Sequence, residues 1–284
     1  MYELNPQAVN HHREIIAGYF EEHPEEAAPY EKELARLRAL PCRGENYDII
    51  YPYAFFEQYM ARGADIPVWR LPSVLHKGRR LYFPEGMDSL TVQFKYSFLL
   101  TEQDPESPHC YLTEALRGRQ FDVLIDAGCA EGILALEMID QVDRVVLVES
   151  DPAWIAPLLS TFAPWQDKVF LVLKKLSDAD GPDSVTLQTL ADELHIRNAL
   201  LKLDIEGYEA QALAGAGDLA GYASTVLCCT YHRARDAEAL SAALAAQGYD
   251  ISFSDGYMLN LYPPDYLPMP EPPYFRKGLI RAQA

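Results

Sequence analysis

The chain has 284 residues, 49% of them hydrophobic, and its 42 acidic against 24 basic side chains give a formal charge of -18. That much apolar material supports a sizeable buried core, so a disordered chain is not expected. A surface this acidic repels phosphate backbones and anionic headgroups, which argues against nucleic acid or membrane as partner and favours a neutral or cationic small molecule.

Residues 1–20 are too polar for a signal peptide and no apolar run approaches membrane-spanning length, so a cytoplasmic location is expected. Cys42, Cys110, Cys129, Cys228 and Cys229 show no CxxC pair or zinc-type spacing and read as buried thiols. Cys228 and Cys229 face opposite sides if their apolar run is a strand. Helices are predicted over residues 31–40, ended by Pro41, and over 47–62. A β-hairpin is predicted from 68–75 and 79–83 about Lys77-Gly78, then a helix over 89–100 and a polar, proline-bearing loop over 102–108. Residues 1–110 thus form an α+β extension. It fits a lid over an acceptor or a homodimer interface, and its aromatics (Tyr51, Tyr53, Phe55, Phe56, Trp69) fit a core equally well.

Residues 111–284 have a different grammar. Short apolar runs at 122–125, 144–148, 169–173, 199–205 and 225–230 alternate with helix-compatible segments, which implies a parallel sheet covered on both faces. Asp236 reads as the N-cap of a helix carrying Leu240 and Leu244 on one face and stopped by Gly248. Two further strands, 249–254 and 275–281, are joined by a proline- and tyrosine-rich loop with no helix. That favours an antiparallel hairpin closing the sheet, as in methyltransferases and unlike most dinucleotide dehydrogenases. The expected fold is a doubly wound, mostly parallel seven-stranded α/β sheet.

Four stretches carry chemistry. The first strand runs into Asp126-Ala127-Gly128-Cys129-Ala130-Glu131-Gly132 and a following apolar helix. Gly128 lacks a Cβ, so a ligand can approach its backbone, and the helix start presents free N–H groups. This D-x-G-x-x-x-G turn suits an amino-acid-bearing sulfonium; the G-x-G-x-x-G dinucleotide fingerprint is absent. The second strand ends in Glu149, 23 residues after Asp126, with Ser150 behind it. An acid there accepts hydrogen bonds from ribose hydroxyls. Trp154 fits an adenine cover or core packing, and Ser177-Asp178 fits either an adenine contact or a plain turn.

The most specific stretch is Leu201-Lys202-Leu203-Asp204-Ile205-Glu206-Gly207-Tyr208-Glu209. As a strand it puts Lys202, Asp204 and Glu206 on one side, charges that are costly inside a sheet unless paired or used. Asp204 and Glu206 fall at the carboxyl edge, where open α/β sheets bind ligands. Lys202 reads as a neutralising partner and Glu209 as a helix-dipole partner. After the fifth strand, His232 faces the crevice of Asp204.

The run 123–132, Glu149 and above all the segment 203–209, together with 185–194, 213–216 and Tyr231-His232, resemble the FkbM family of methyltransferases. The resemblance covers roughly residues 120–255. It implies S-adenosylmethionine as methyl donor, S-adenosylhomocysteine as product and O-methylation of a small molecule such as a sugar or polyketide. It also implies that Asp126, Gly128 and Gly132 frame the cofactor, Glu149 holds its ribose and Asp204 lies near the methyl group. The chain departs from the pattern at Glu131, where many relatives carry a small or asparagine residue, and at Thr230-Tyr231, where many have a glutamate before the histidine.

The expected cofactor contacts are therefore Asp126, Ala127, Gly128, Cys129, Gly132, Glu149, Ser150, Ser177, Asp178 and Asp204, and the expected bases are His232 and then Asp204. A divalent metal on Asp204, Glu206 and His232 is the disfavoured variant. The rival functions are a nicotinamide-dependent oxidoreductase and a non-catalytic cofactor-binding scaffold.

Overall fold

In the computed structural model, residues 6–39, 58–59, 70–259 and 271–284 are described. The helix expected over 47–62 lies outside them apart from Gln58 and Tyr59, as do Cys42, Tyr51, Tyr53, Phe55, Phe56 and Trp69. The elements are α1 (Pro6–Glu22), α2 (Glu31–Ala39), β1 (Ser73–His76), β2 (Arg79–Tyr82), α3 (Ser89–Glu102), α4 (Glu114–Arg117), β3 (Phe121–Ala127), α5 (Ile133–Met138) and β4 (Val142–Val148). They continue with α6 (Ile155–Thr161), β5 (Val169–Val172), β6 (Lys175–Leu176), β7 (Ser184–Val185), α7 (Leu187–Glu193), β8 (Ala199–Leu203), α8 (Glu209–Ala214), β9 (Ala223–Cys229), α9 (Asp236–Ala246), β10 (Asp250–Phe253) and β11 (Leu279–Gln283). Among the described residues no helix is long and apolar enough to cross a membrane.

The central sheet has seven strands in the order β10-β11-β9-β8-β3-β4-β5. The β5-β4-β3-β8-β9 ladder is parallel, and β11 runs antiparallel between β9 and β10. The expected doubly wound sheet closed by an antiparallel hairpin is thus the observed one. Strand alternation sorts the core into two layers. Leu124, Leu147, Leu200, Leu227 and Cys229 face α5 and α6, with Val74, Leu81 and Phe83 of the β1–β2 hairpin in the same layer. Val123, Ile125, Val146, Leu201, Val226 and Cys228 face α7, α8 and α9. Cys228 and Cys229 accordingly point to opposite sides, and all four described cysteines are buried and free.

Three expectations need correction. The strand expected over 199–205 stops at Leu203, because the backbone turns at Asp204 and Glu206 takes a left-handed φ of 56°. The alternation drawn for 202–206 therefore breaks, and Glu206 swings out to 86% exposure. The last strand begins at Leu279 rather than at 275; Phe275 is buried among aromatics and Arg276 joins Met258 in an isolated bridge. Asp236 is not the N-cap of α9, which is Arg235; it is the first helical residue, and its carboxylate accepts from the Arg233 N–H at 2.7 Å.

Away from the sheet, Ile16 and Phe20 of α1 and Leu34 and Leu37 of α2 pack with Leu259, Tyr274 and Phe275 in a separate cluster. Tyr30 stacks on Phe275 at a ring separation of 5.2 Å.

The hairpin is fastened to α5 through the Glu137 carboxylate, which receives His76 at 3.0 Å, Lys77 at 2.6 Å and Arg117 of α4 at 2.8 Å. Burial works against that charge, but the three donors outweigh it and hold the carboxyl down at about 2. Because the folded value lies below the ordinary 4.5, the contribution is full above pH 4.5 and is lost as pH falls toward 2. Glu137→Gln should cost about 1.5–3 kcal/mol at neutral pH, measured from urea midpoints. The deficit should fade in the acid range.

Candidate functional site

The carboxyl ends of β3, β4 and β8 lie level, since Ala127 pairs with both Val148 and Leu203. The next residue, Gly128, has φ 68°, and a Cβ there would stand 1.9 Å from the Asp204 carbonyl oxygen. Its lack of a side chain is taken up by the neighbouring strand end, a packing demand and not open space for a ligand. A Cβ on Gly132 (φ 78°) would meet the Phe162 ring at 2.8 Å, so this glycine too is required by packing.

Lys202, the strand neighbour of Asp126, is buried beneath that turn. Its ammonium lies 3.1 Å from Asp126 Oδ1 and donates to the carbonyls of Ala127 at 3.1 Å and Gly128 at 2.7 Å. Burial opposes the charge, yet Asp126 and then Asp204 hold the lysine pKa above its usual value. Asp126 is correspondingly sealed at 1% exposure, and Cys129 is buried beside it in the turn.

Glu149 directly follows β4 and fastens the turn from the other side. Its Oε2 accepts from Ala130 N–H at 2.9 Å, and its Oε1 from Ser150 and Asp151 N–H at 2.7 and 2.8 Å. A carboxylate offers about four acceptor positions, so one remains for an incoming hydroxyl. Ser177 donates to Asp178 at 3.1 Å in an exposed turn. That turn packs on Gly215, where a Cβ would stand 2.3 Å from the Ser177 carbonyl. Trp154 is partly buried against the core, its ring 6.5 Å from Phe83.

Asp204 is the hub of the crevice. Tyr111 donates to it at 2.6 Å and Tyr231 at 3.5 Å, while His109 and His232 each bring a ring nitrogen within 3.4 Å. Burial would raise its pKa, but His109, Lys202 and His232 press it far below the usual carboxylate range. Gln103 settles the state of His109. Its carbonyl accepts from Tyr111 N–H at 3.1 Å, so its amide faces His109 Nδ1 at 3.3 Å. Nδ1 accepts, and Nε2 keeps its hydrogen for Tyr231 at 3.1 Å. Burial lowers the His109 pKa, but Glu102 and then Asp204 outweigh it and raise it above its usual value.

His232 stands between two carboxylates. Nε2 is 3.4 Å from Asp204 and Nδ1 is 3.1 Å from Glu209, but neither N–H direction is aligned and both buried nitrogens lack a hydrogen bond. Burial lowers its pKa; Glu209 and then Asp204 overcome that and raise it above 6.5. Glu209 is itself 1% exposed, accepts from Ile205 N–H at 2.9 Å and has its second oxygen unpartnered. Arg276 donates to the backbone carbonyls of Tyr231 and His232 at 2.8 and 3.1 Å, fixing the segment that carries the imidazole.

The structure thus brings Asp204 and His232 together and leaves Glu206 at the rim, 3.7 Å from His232. Among the described residues the ligand sets of suitable spacing that include Asp204 are Asp204, Glu209 and His232, or His109, Asp204 and Cys229. His109, Tyr111, Gln103, Tyr231 and Glu209 were not expected in the site. The first three arrive on the loop between α3 and α4, which is locked by Arg281 donating to the Cys110 carbonyl at 2.6 Å and by Gly278, whose Cβ would strike the Pro108 carbonyl at 2.2 Å. A histidine and a tyrosine beside Pro108 were the available signal, but only tertiary packing gives them a destination.

No protein-family model and no curated protein matches the sequence. Among solved structures the chain is similar to methyltransferase FkbM from Methylobacillus flagellatus KT at 18% identity and TM-score 0.44, over 69% of this chain and 55% of that one. It therefore spans about half the length of that protein. Similarity to magnesium protoporphyrin IX methyltransferase from Synechocystis PCC 6803, solved with bound S-adenosylmethionine, is 14% identity and TM-score 0.44 over 70% and 86% of the two chains. For the precorrin-6y C5,15-methyltransferase of Geobacter metallireducens GS-15 the values are 14%, 0.38, 60% and 83%.

Gly128→Ala forces a side chain into the Asp204 backbone at a left-handed φ. It should destabilise the fold by at least about 3 kcal/mol, read as a lowered thermal midpoint or loss of soluble protein. A variant as stable as wild type would refute the packing account.

Proposed function

We propose that the chain is an S-adenosylmethionine-dependent methyltransferase that methylates a hydroxyl of a neutral or cationic small molecule. The observation that carries this reading is His232: a buried imidazole without a hydrogen bond, at the carboxyl edge of the sheet, beside a glycine turn and a strand-end acid. The closing antiparallel strand supports it, because that topology separates methyltransferases from most dinucleotide dehydrogenases. The residues fit the cofactor in kind. Glu149 keeps one acceptor position for a ribose hydroxyl, with Ser150 next to it. Ala127, Gly128, Cys129 and Gly132 form the turn that would hold the cofactor, with Asp126 beneath it, and Ser177 with Asp178 would contact the adenine.

Bound S-adenosylmethionine supplies a methyl group on a sulfonium, open to in-line displacement by an aligned acceptor. The acceptor hydroxyl must shed a proton, and His232 takes it on a free ring nitrogen while Glu209 holds the other side and stabilises the resulting imidazolium. Asp204 is a poor base, being held ionised by the Tyr111 and Tyr231 hydroxyls and by the positive charge of Lys202. Its role is to keep negative charge beside the reacting centre and to orient Tyr111, Tyr231 and both histidines.

Calorimetric titration with S-adenosylmethionine and S-adenosylhomocysteine tests the reading, with Glu149→Ala as control. Binding of both ligands that fails in the variant supports it; no binding at millimolar ligand puts the scaffold alternative first. His232→Ala should leave cofactor affinity nearly intact and lower turnover at least about tenfold. Since the raised His232 must be neutral to act, turnover should climb with pH through an inflection above 6.5. Glu209→Gln should move that inflection down; an unmoved profile removes His232 as the base.

A further inference from the structure

One acid at the crevice takes no part in the scheme above. Glu206 stands at the rim with its Oε2 3.7 Å from His232 Nε2, and its side chain is 86% exposed. The imidazole it faces is 7% exposed, and both ring nitrogens are buried without a hydrogen bond. Among the described residues no lysine or arginine pairs with Glu206. Arg233 lies over Gly207, its Nε 3.0 Å from where a Cβ would stand there, and forms no ion pair with the neighbouring glutamate. Lys202 is already committed to Asp126 and two carbonyls. Glu206 and Gly207 take φ of 56° and 87°. The first value is costly for a residue with a Cβ, and it carries the carboxylate out of the line of β8 to the mouth of the crevice.

An acceptor that loses its proton to His232 must bring its hydroxyl to a ring nitrogen. Whatever group stands next to that hydroxyl on the acceptor then lies against Glu206. The 3.7 Å between Nε2 and Oε2 limits how far apart the two groups can be. A hydroxyl bonded to one atom and a donor bonded to the other must sit on adjacent carbons of one molecule. The oxygen and nitrogen of a gauche 1,2-amino alcohol stand about 3 Å apart, which is a hydrogen-bonding separation. A second hydroxyl would offer Glu206 a neutral donor, whereas an ammonium offers the charge that this carboxylate lacks together with its N–H groups.

We infer that the methyl acceptor is a 1,2-amino alcohol, with its hydroxyl on His232 and its protonated amine on Glu206. This assignment rests on the methyltransferase reading and narrows its substrate class. The acceptor oxygen takes the methyl group as the carbon–sulfur bond breaks, leaving its electron pair on sulfur, and the hydroxyl proton passes to His232. The amine keeps its proton throughout. Paired with Glu206 as an ammonium, its nitrogen has no lone pair to offer, so the methyl group goes to oxygen. Glu206 therefore sets both which acceptor binds and which of its two polar atoms reacts.

The test uses three probes. Trans-2-aminocyclohexanol and trans-cyclohexane-1,2-diol share ring and hydroxyl and differ in the ammonium, and trans-4-aminocyclohexanol keeps the charge without the spacing. Each is titrated by NMR into wild type and Glu206→Gln, both saturated with S-adenosylhomocysteine. The 2-amino probe should bind wild type at least about tenfold more tightly than either of the others. Glu206→Gln should bring it down to the level of the diol. Because the replaced side chain is 86% exposed, the variant should melt with wild type, so a binding loss is not a folding loss. Three results overturn the amino-alcohol assignment alone: a 2-amino probe bound no better than the diol, a 4-amino probe bound as well as the 2-amino, or an equal change for amine and diol in the variant. Wild type that fails to bind S-adenosylhomocysteine overturns the methyltransferase reading and this assignment with it.

Discussion

A buried ammonium holds the working edge of this sheet together. Lys202 sits where β8 passes β3, neutralises Asp126 across the strand pair and binds the two carbonyls that lead into the glycine turn. Taking a lysine and an aspartate out of water is costly, and the pair is tolerable because each charge has a partner and the remaining ammonium protons find backbone oxygens. Everything above depends on that anchorage. It sets the distance between the turn and Asp204 so closely that only glycine fits at 128, and it places a positive charge under Asp204, helping to keep that acid ionised.

Above the anchor the site is a set of acids sorted by what surrounds them. Asp204 is surrounded by donors and stays charged, whereas Glu209 shares an imidazole with it. Glu149 is filled largely by backbone N–H groups of its own neighbourhood. Carboxylates thus take structural and orienting roles, and the difference lies in the donors that the fold brings to each.

Much of the scaffold was legible from residue patterns. Apolar runs located the parallel strands, the helix-free connection before residue 279 located the antiparallel closure, and the adjacent Cys228 and Cys229 gave the two faces of β9. The pair Asp204 and His232 was legible because charged or polar residues at strand ends face a common edge. Local pattern failed where the backbone left the pattern. The alternation of 202–206 ended when Glu206 entered a left-handed conformation, a choice made by the turn and invisible in side-chain chemistry. The packing demand at Gly128 was not separable in the sequence, because close approach of backbone to ligand and of backbone to backbone leave the same mark there. His109 and Tyr111 come from a loop whose position is fixed by Gly278 and Arg281, about 170 residues away in the chain.

The contact of Arg276 with the His232 segment gives the helix pair α1 and α2 a second importance. These helices stack on Tyr274 and Phe275, immediately before the arginine that holds the carbonyls of Tyr231 and His232. The amino-terminal helices are therefore mechanically in series with the candidate base. Trimming or replacing them in an engineered version would alter the footing of the imidazole as well as the resistance of the protein to heat.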